Sequence, residues 1–251
     1  MFRYRTKNRT LKDNLRIATL LSFVAGMVNV AGFLGVRQLT TNVTGHFAFF
    51  IGEIYHIDVW RGMVYFLFVF FFLLGSFFSG LLIEWISRKN ERYVYVIPVL
   101  IETLILAFVA FYSETLLESN SNLIAYLLLF AMGLQNSLVT LISNSVVRTT
   151  HLTGLFTDLG IEFSQLFFYK SAAHKKKLLS SIRLRFFIIV FFLLGGVVSG
   201  LFYFRFELRI LYFSAGLLVF GLFYDQIRIR LNLLKRNIRQ HGVLRKWERG
   251  E

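Results

Sequence analysis

The chain has 251 residues, 56% of them hydrophobic and only 17% charged, with a formal net charge of +14 and no cysteine. A charged fraction below the roughly 25% of an ordinary soluble domain leaves too little polar surface to cover a water-exposed fold. The lack of Cys excludes disulfides, thiolate metal sites and cysteine nucleophiles.

Several apolar runs approach the roughly 20 residues that cross a hydrocarbon core as a helix, which predicts an all-α membrane protein. In chain order, residues 1–15 form a basic N-terminal stretch. The first apolar run, Arg16–Val36, is too long for a signal-peptide core and is expected to remain as a helix. A shorter, more polar segment follows, Thr44–His56, which at about 1.5 Å per residue cannot span a core of roughly 30 Å. Gly62–Ile86, Tyr93–Tyr112 and Asn122–Ile142 are long enough to cross. A second short segment, Thr153–Tyr169, precedes Phe186–Phe206 and Ile210–Tyr224. Residues 227–251 alternate basic side chains with Ile, Leu, Val and Trp247, the pattern of an amphipathic helix lying on the inner leaflet.

Basic residues decide how the short segments are read. Of the 28 Lys and Arg, 23 fall in four patches, at 3–16, 88–92, 170–185 and 228–249. If all eight segments crossed, the 88–92 patch would lie outside and the acidic loop Ser113–Asn122 inside, both against the positive-inside tendency. With six spans and two re-entrant half-helices, all four patches and both termini face the cytoplasm. The positive charge is then accounted for by topology and anionic headgroups, and nucleic-acid binding is not needed to explain it.

The chain also repeats itself. Thr40-Thr41-Asn42-Val43-Thr44-Gly45 matches Thr149-Thr150-His151-Leu152-Thr153-Gly154, and each copy opens a short segment. Gly26-Met27-Val28-Asn29 matches Gly133-Leu134-Gln135-Asn136, and Phe71–Gly75 with Ser79–Leu81 matches Phe191–Gly195 with Ser199–Leu201. The three matches occur in order, at offsets of 107, 109 and 120 residues. One membrane domain, 16–226, would then hold repeat one (16–112) and repeat two (122–226). Three crossings per repeat invert the second against the first. Inverted repeats with interrupted segments at corresponding positions point to a transport site near the midplane.

The stretch from Gly26 through Asn29 to Asn42-Val43-Thr44-Gly45-His46 resembles the first signature of the YoaK family of bacterial multi-pass membrane proteins. Gly133–Asn136 and Arg148–Gly154 through Thr157-Asp158-Leu159-Gly160 resemble its second. The resemblance covers roughly residues 15–225 and implies a protein of the bacterial inner membrane. Asn29 stands where the family commonly has Asp, and His46 where it commonly has Asn.

The motif itself suggests chemistry. Thr44 or Asn42, and Thr153 or His151, fall where helix N-caps belong, while Gly45 and Gly154 permit close approach of backbone or ligand. Two half-helix N-termini meeting near the midplane would favour an anion or a polar oxygen. Asn29 and Asn136 sit in mid-span and would line a path or hydrogen-bond between helices. Glu53 and Glu162 occupy equivalent positions, and Asp158 lies one helical turn before Glu162. With His46 beside the motif, these are candidates for proton or ion coupling, or for interfacial pairs with Arg61 and Lys170. Gly75, Ser76, Ser79 and Gly80, with Gly195, Gly196, Ser199 and Gly200, read as helix-contact seams.

The expectation is a channel or secondary transporter for a small polar or anionic solute, coordinated by Thr44, Gly45, Thr153 and Gly154. Asn29, Asn136 and Asp158 would lie along the path. The alternative is a non-transporting scaffold acting through the basic tail. No catalytic motif, metal-ligand set or cofactor signature is present, so neither an enzyme nor a metal protein is expected. The expected partners are the bilayer, the solute and a further copy of the chain.

Overall fold

The computed structural model describes residues 11–89, 94–143, 147–169 and 171–224. Among these, no strand occurs. The elements are α1 (Leu11–Val36), α2 (Val43–Tyr55), α3 (Val59–Ser87), α4 (Val96–Phe111), α5 (Ser113–Ser143), α6 (Leu152–Phe168), α7 (Ala172–Phe206), a 3-10 turn (Glu207–Ile210) and α8 (211–224). The basic residues 1–10, Arg92, Lys170 and the 227–251 tail lie outside the described residues.

Four helical runs are long and apolar enough to cross a bilayer: Asp13–Val36, Val59–Ser87, Ser113–Ser143 and Ala172–Tyr224. The last contains both of the final two expected spans. It turns at Glu207, whose φ of 49° stops α7, and the 3-10 turn starts α8 with no intervening loop. α4, at 16 residues, is shorter than the span expected there. The expected acidic loop Ser113–Asn122 is helical, merging into α5 across a kink at Asn120, where φ is −161° and ψ is 85°. Asn120 begins the straight part of α5 by accepting the Leu123 N–H on its Oδ1 at 3.3 Å.

The outer surface is apolar. Leu73, Phe77, Leu81 and Trp85 form an exposed stripe down α3 at four-residue spacing, and Phe204 is 98% exposed. A contiguous apolar surface of this kind suits lipid rather than water.

Four glycines set the core. α1 packs most extensively on α7, and α3 on α5. A Cβ added at Gly26 would meet the Phe192 carbonyl oxygen at 2.0 Å, and one at Gly195 would meet that of Phe23 at 2.0 Å. The second pair is the same: Gly75 against Phe130 and Gly133 against Phe72, each at 2.1 Å. Only hydrogen fits at these crossings, which is how small residues let membrane helices approach backbone to backbone. The two crossings correspond residue for residue under the offsets of 107 and 120. The seam serines behave alike: Ser79 and Ser199 are fully buried.

α4 and α8 extend the correspondence beyond the motifs and glycine crossings. From Val99 onward the buried positions of α4 are Val99, Glu102, Thr103, Leu106, Val109 and Ala110; in α8 they are Leu211, Ser214, Ala215, Leu218, Gly221 and Leu222. The spacing is identical at an offset of 112, and at that offset Leu106, Phe108, Phe111 and Tyr112 match Leu218, Phe220, Phe223 and Tyr224. Ser214 Oγ–H donates to the Met27 sulfur at 3.6 Å, joining α8 to α1.

Candidate functional site

The chain leaves α1 at Arg37, whose φ of 58° turns it out of the helix. The Arg37 N–H still reaches the Phe33 carbonyl at 3.1 Å. α2 is then started by Asn42, whose Oδ1 accepts the Gly45 N–H at 3.0 Å. Of the two expected caps, Asn42 holds the position, and Thr44 stands in the first turn. In the second copy His151 takes the cap position of α6 but makes no side-chain hydrogen bond to it.

Both motif glycines lie under their cap residue. A Cβ at Gly45 would sit 2.8 Å from Asn42 Nδ2, and one at Gly154 would sit 2.3 Å from His151 Cδ2. The folded-back cap side chain therefore explains the glycine in each copy without invoking a ligand.

The approach to each motif is also fixed. In the first copy, Asn29 Oδ1 accepts two bonds from Thr41, from its N–H at 3.2 Å and its hydroxyl at 2.9 Å. In the second, Gln135 Nε2 donates to the Leu21 carbonyl at 3.0 Å and to Thr149 Oγ1 at 3.3 Å, tying the motif to both α1 and α5.

The two copies, far apart in sequence, line one cavity of about 1020 Å³. Its lining pairs Asn29 with Asn136, Thr41 with Thr150, Thr44 with Thr153 and Phe72 with Phe192, with Gly45, Ser76 and His151 among the rest. Ser76 donates its hydroxyl to the Gly133 carbonyl at 2.9 Å. Among the described residues, no Asp, Glu, Lys or Arg lines the cavity. The polar groups available in it are amides, hydroxyls, one imidazole and the first turns of α2 and α6.

Of the residues singled out from sequence, Asn29, Thr44, Gly45, Asn136 and Thr153 line this cavity; Gly154, His46, Glu53, Asp158 and Glu162 do not. His46 is 1% exposed; its Nε2 lies 2.8 Å from the Leu39 carbonyl and its ring packs on Phe68 and Tyr65. It clamps the extended stretch before α2 onto α3. Glu53 lies towards the C-terminal end of α2. Among the described residues no group of three His, Asp or Glu side chains could hold a metal.

Asp158 and Glu162 share one cation, Arg185 of α7. Its Nε and Nη2 donate to Asp158 Oδ2 at 3.3 and 3.1 Å, and its Nη1 bonds both Glu162 and Ser181. The corresponding first-copy positions of Asp158 and Arg185 hold Phe49 and Tyr65, whose rings lie 5.3 Å apart. The same helix-to-helix contact is thus ionic in one half and aromatic in the other.

Sequence reasoning missed the part of four residues. Arg185 was read only as part of a basic patch. Thr41 and Thr150 were read only as motif letters. Glu102 is fully buried in α4, with no hydrogen-bond partner for either carboxylate oxygen. A lone carboxylate inside an apolar span was the available signal for it.

No curated protein and no solved structure matches the chain. A family model described as protein of unknown function (DUF1275) matches residues 17–224, from the first turns of α1 to the end of α8 and across both motif copies. The chain therefore belongs to the DUF1275 family, the one its YoaK-like signatures resemble.

Proposed function

We propose that this protein is a channel or secondary transporter for a small polar or anionic solute in a bacterial inner membrane. The solute path passes between α2 and α6. The observation that carries this reading is the single cavity at which both motif copies and both mid-span asparagines meet. Paired interruptions around a central cavity are the arrangement that transporters built from repeats use for their binding sites.

The reading includes six spans, two re-entrant half-helices and an inverted repeat. The glycine crossings favour the repeat, because each joins a helix of one half to a helix of the other. An ion pair favours the topology: Arg209 Nη2 lies 2.6 Å from Glu114 Oε1. Six spans bring the α4–α5 and α7–α8 junctions to one membrane face, whereas eight spans put them on opposite faces. With six, both termini lie in the cytoplasm and the bilayer's anionic headgroups meet the basic patches. No enzymatic step and no cofactor enters this reading.

Reconstituted protein should accelerate the flux of at least one small solute across liposomes, measured over a panel of neutral polar compounds and ions. Flux no faster than protein-free liposomes over that whole panel would overturn the proposal.

A further inference from the structure

The two halves of the cavity are lined by corresponding residues, yet their polar groups are used differently. In the first half the Asn29 Oδ1 accepts two bonds from Thr41, and Asn42 caps α2 through Gly45. In the second half neither bond has a counterpart among the described residues. Asn136 Oδ1 is buried with no partner, although Thr150 stands where Thr41 does, and His151 leaves the first turn of α6 uncapped. A buried acceptor without a partner carries its desolvation cost uncompensated, so the second half is the one a ligand stabilises on binding.

The lining also defines the ligand. A bare ion would enter a site whose described lining holds no side chain of opposite charge to offset its lost hydration. An anion meets the α6 first turn favourably but faces the unpartnered Asn136 oxygen, and a cation meets the reverse. A neutral molecule that carries a donor and an acceptor satisfies both groups together, and Phe72 and Phe192 cover its apolar part.

We infer that the solute is a small uncharged molecule with both a hydrogen-bond donor and an acceptor, of amide or polyol type. It binds on the second-copy side of the cavity, donating to Asn136 and accepting from the N–H groups at the start of α6. This deepens the solute-path reading and rests on it.

The experiment compares Asn136→Leu with Asn29→Leu in the full chain. Binding is read as ligand-induced thermal shift in detergent with acetamide, urea and glycerol as neutral probes and formate and chloride as ions. Flux is read separately in liposomes. At least one neutral probe should bind wild type, and N136L should weaken it about tenfold, the effect of one lost hydrogen bond to a ligand. N136L should retain wild-type melting, because it deletes an unsatisfied group. N29L, which leaves Thr41 unpaired, should melt lower.

Binding by ions alone, or a neutral probe that binds N136L as well as wild type, would overturn the inference. A lower melting point for N136L equal to that of N29L would do the same, since Asn136 would then be structural. Neutral-probe binding without flux of any probe would leave this site standing and remove the transport reading; ion flux alone would leave the transport reading and remove this one.

Discussion

Gly26 and Gly195 show what single atoms decide here. Each sits where the facing helix presents a carbonyl oxygen, so a methyl group has no space unless a whole helix moves. Overpacking of this kind costs about 1–3 kcal/mol or more. Gly195→Ala should lower the melting temperature clearly and reduce the folded yield. Gly216→Ala, which meets nothing within 4 Å in α8, should leave melting unchanged or raise it slightly, since Ala adds up to about 1 kcal/mol of helix propensity. Equal melting temperatures for the two variants would refute the crossing. Gly195 was legible in the sequence as part of a helix-contact seam, because small residues at four-residue spacing have few other uses in a span, whereas Gly26 was read only as a letter of the repeat. Which helix each one faced was not legible. Local spacing carries no information about a neighbour more than a hundred residues away.

Arg185 belongs to the scale of elements, because it holds α6 to α7. In the first half, Phe49 and Tyr65 do the same work for α2 and α3 by ring packing. Hydrogen bonds to charged groups are each worth about 1.5–3 kcal/mol. Arg185→Gln should therefore loosen α6, seen as faster amide hydrogen exchange over Leu152–Phe168 with α2 unaffected. Adding Asp158→Asn and Glu162→Gln should restore part of the protection by removing the carboxylate repulsion that remains. Unchanged exchange in α6 would show that the cluster does not hold it. The sequence marked both carboxylates but offered Lys170 as a partner for Glu162, since it lies nearest in the chain. The cation the structure brings to Glu162 comes from 23 residues further on, more than three turns into the next helix. The acidic 113–122 segment was read as a loop on polarity alone, and its helix shows that Glu and Leu within it keep helical propensity after a turn at Tyr112. The short segments were placed within a few residues because their threonine-glycine starts are local signals.

At the scale of the whole molecule, the two halves interlock: α1 of one packs on α7 of the other, and α5 on α3. Neither half has a core of its own, so the chain is expected to unfold as one unit. The proposed topology has a direct check, since the chain lacks cysteine. A cysteine at Lys89 should label from the cytoplasmic side and one at Glu114 from the outside; the reverse pattern at both would support eight spans. The order of elements and the pairing of the motifs could be read from the chain. The cavity could not, because it depends on how two interruptions 109 residues apart meet in space.

The claim on which the rest depends is that both motif copies border the route the solute takes. Thr44→Cys and Thr153→Cys should each retain flux in liposomes until a charged, membrane-impermeant thiol reagent is added, and should then lose it. Phe204→Cys, on the lipid-facing surface, should be unaffected. Flux that persists at both threonine positions after complete modification would contradict the account.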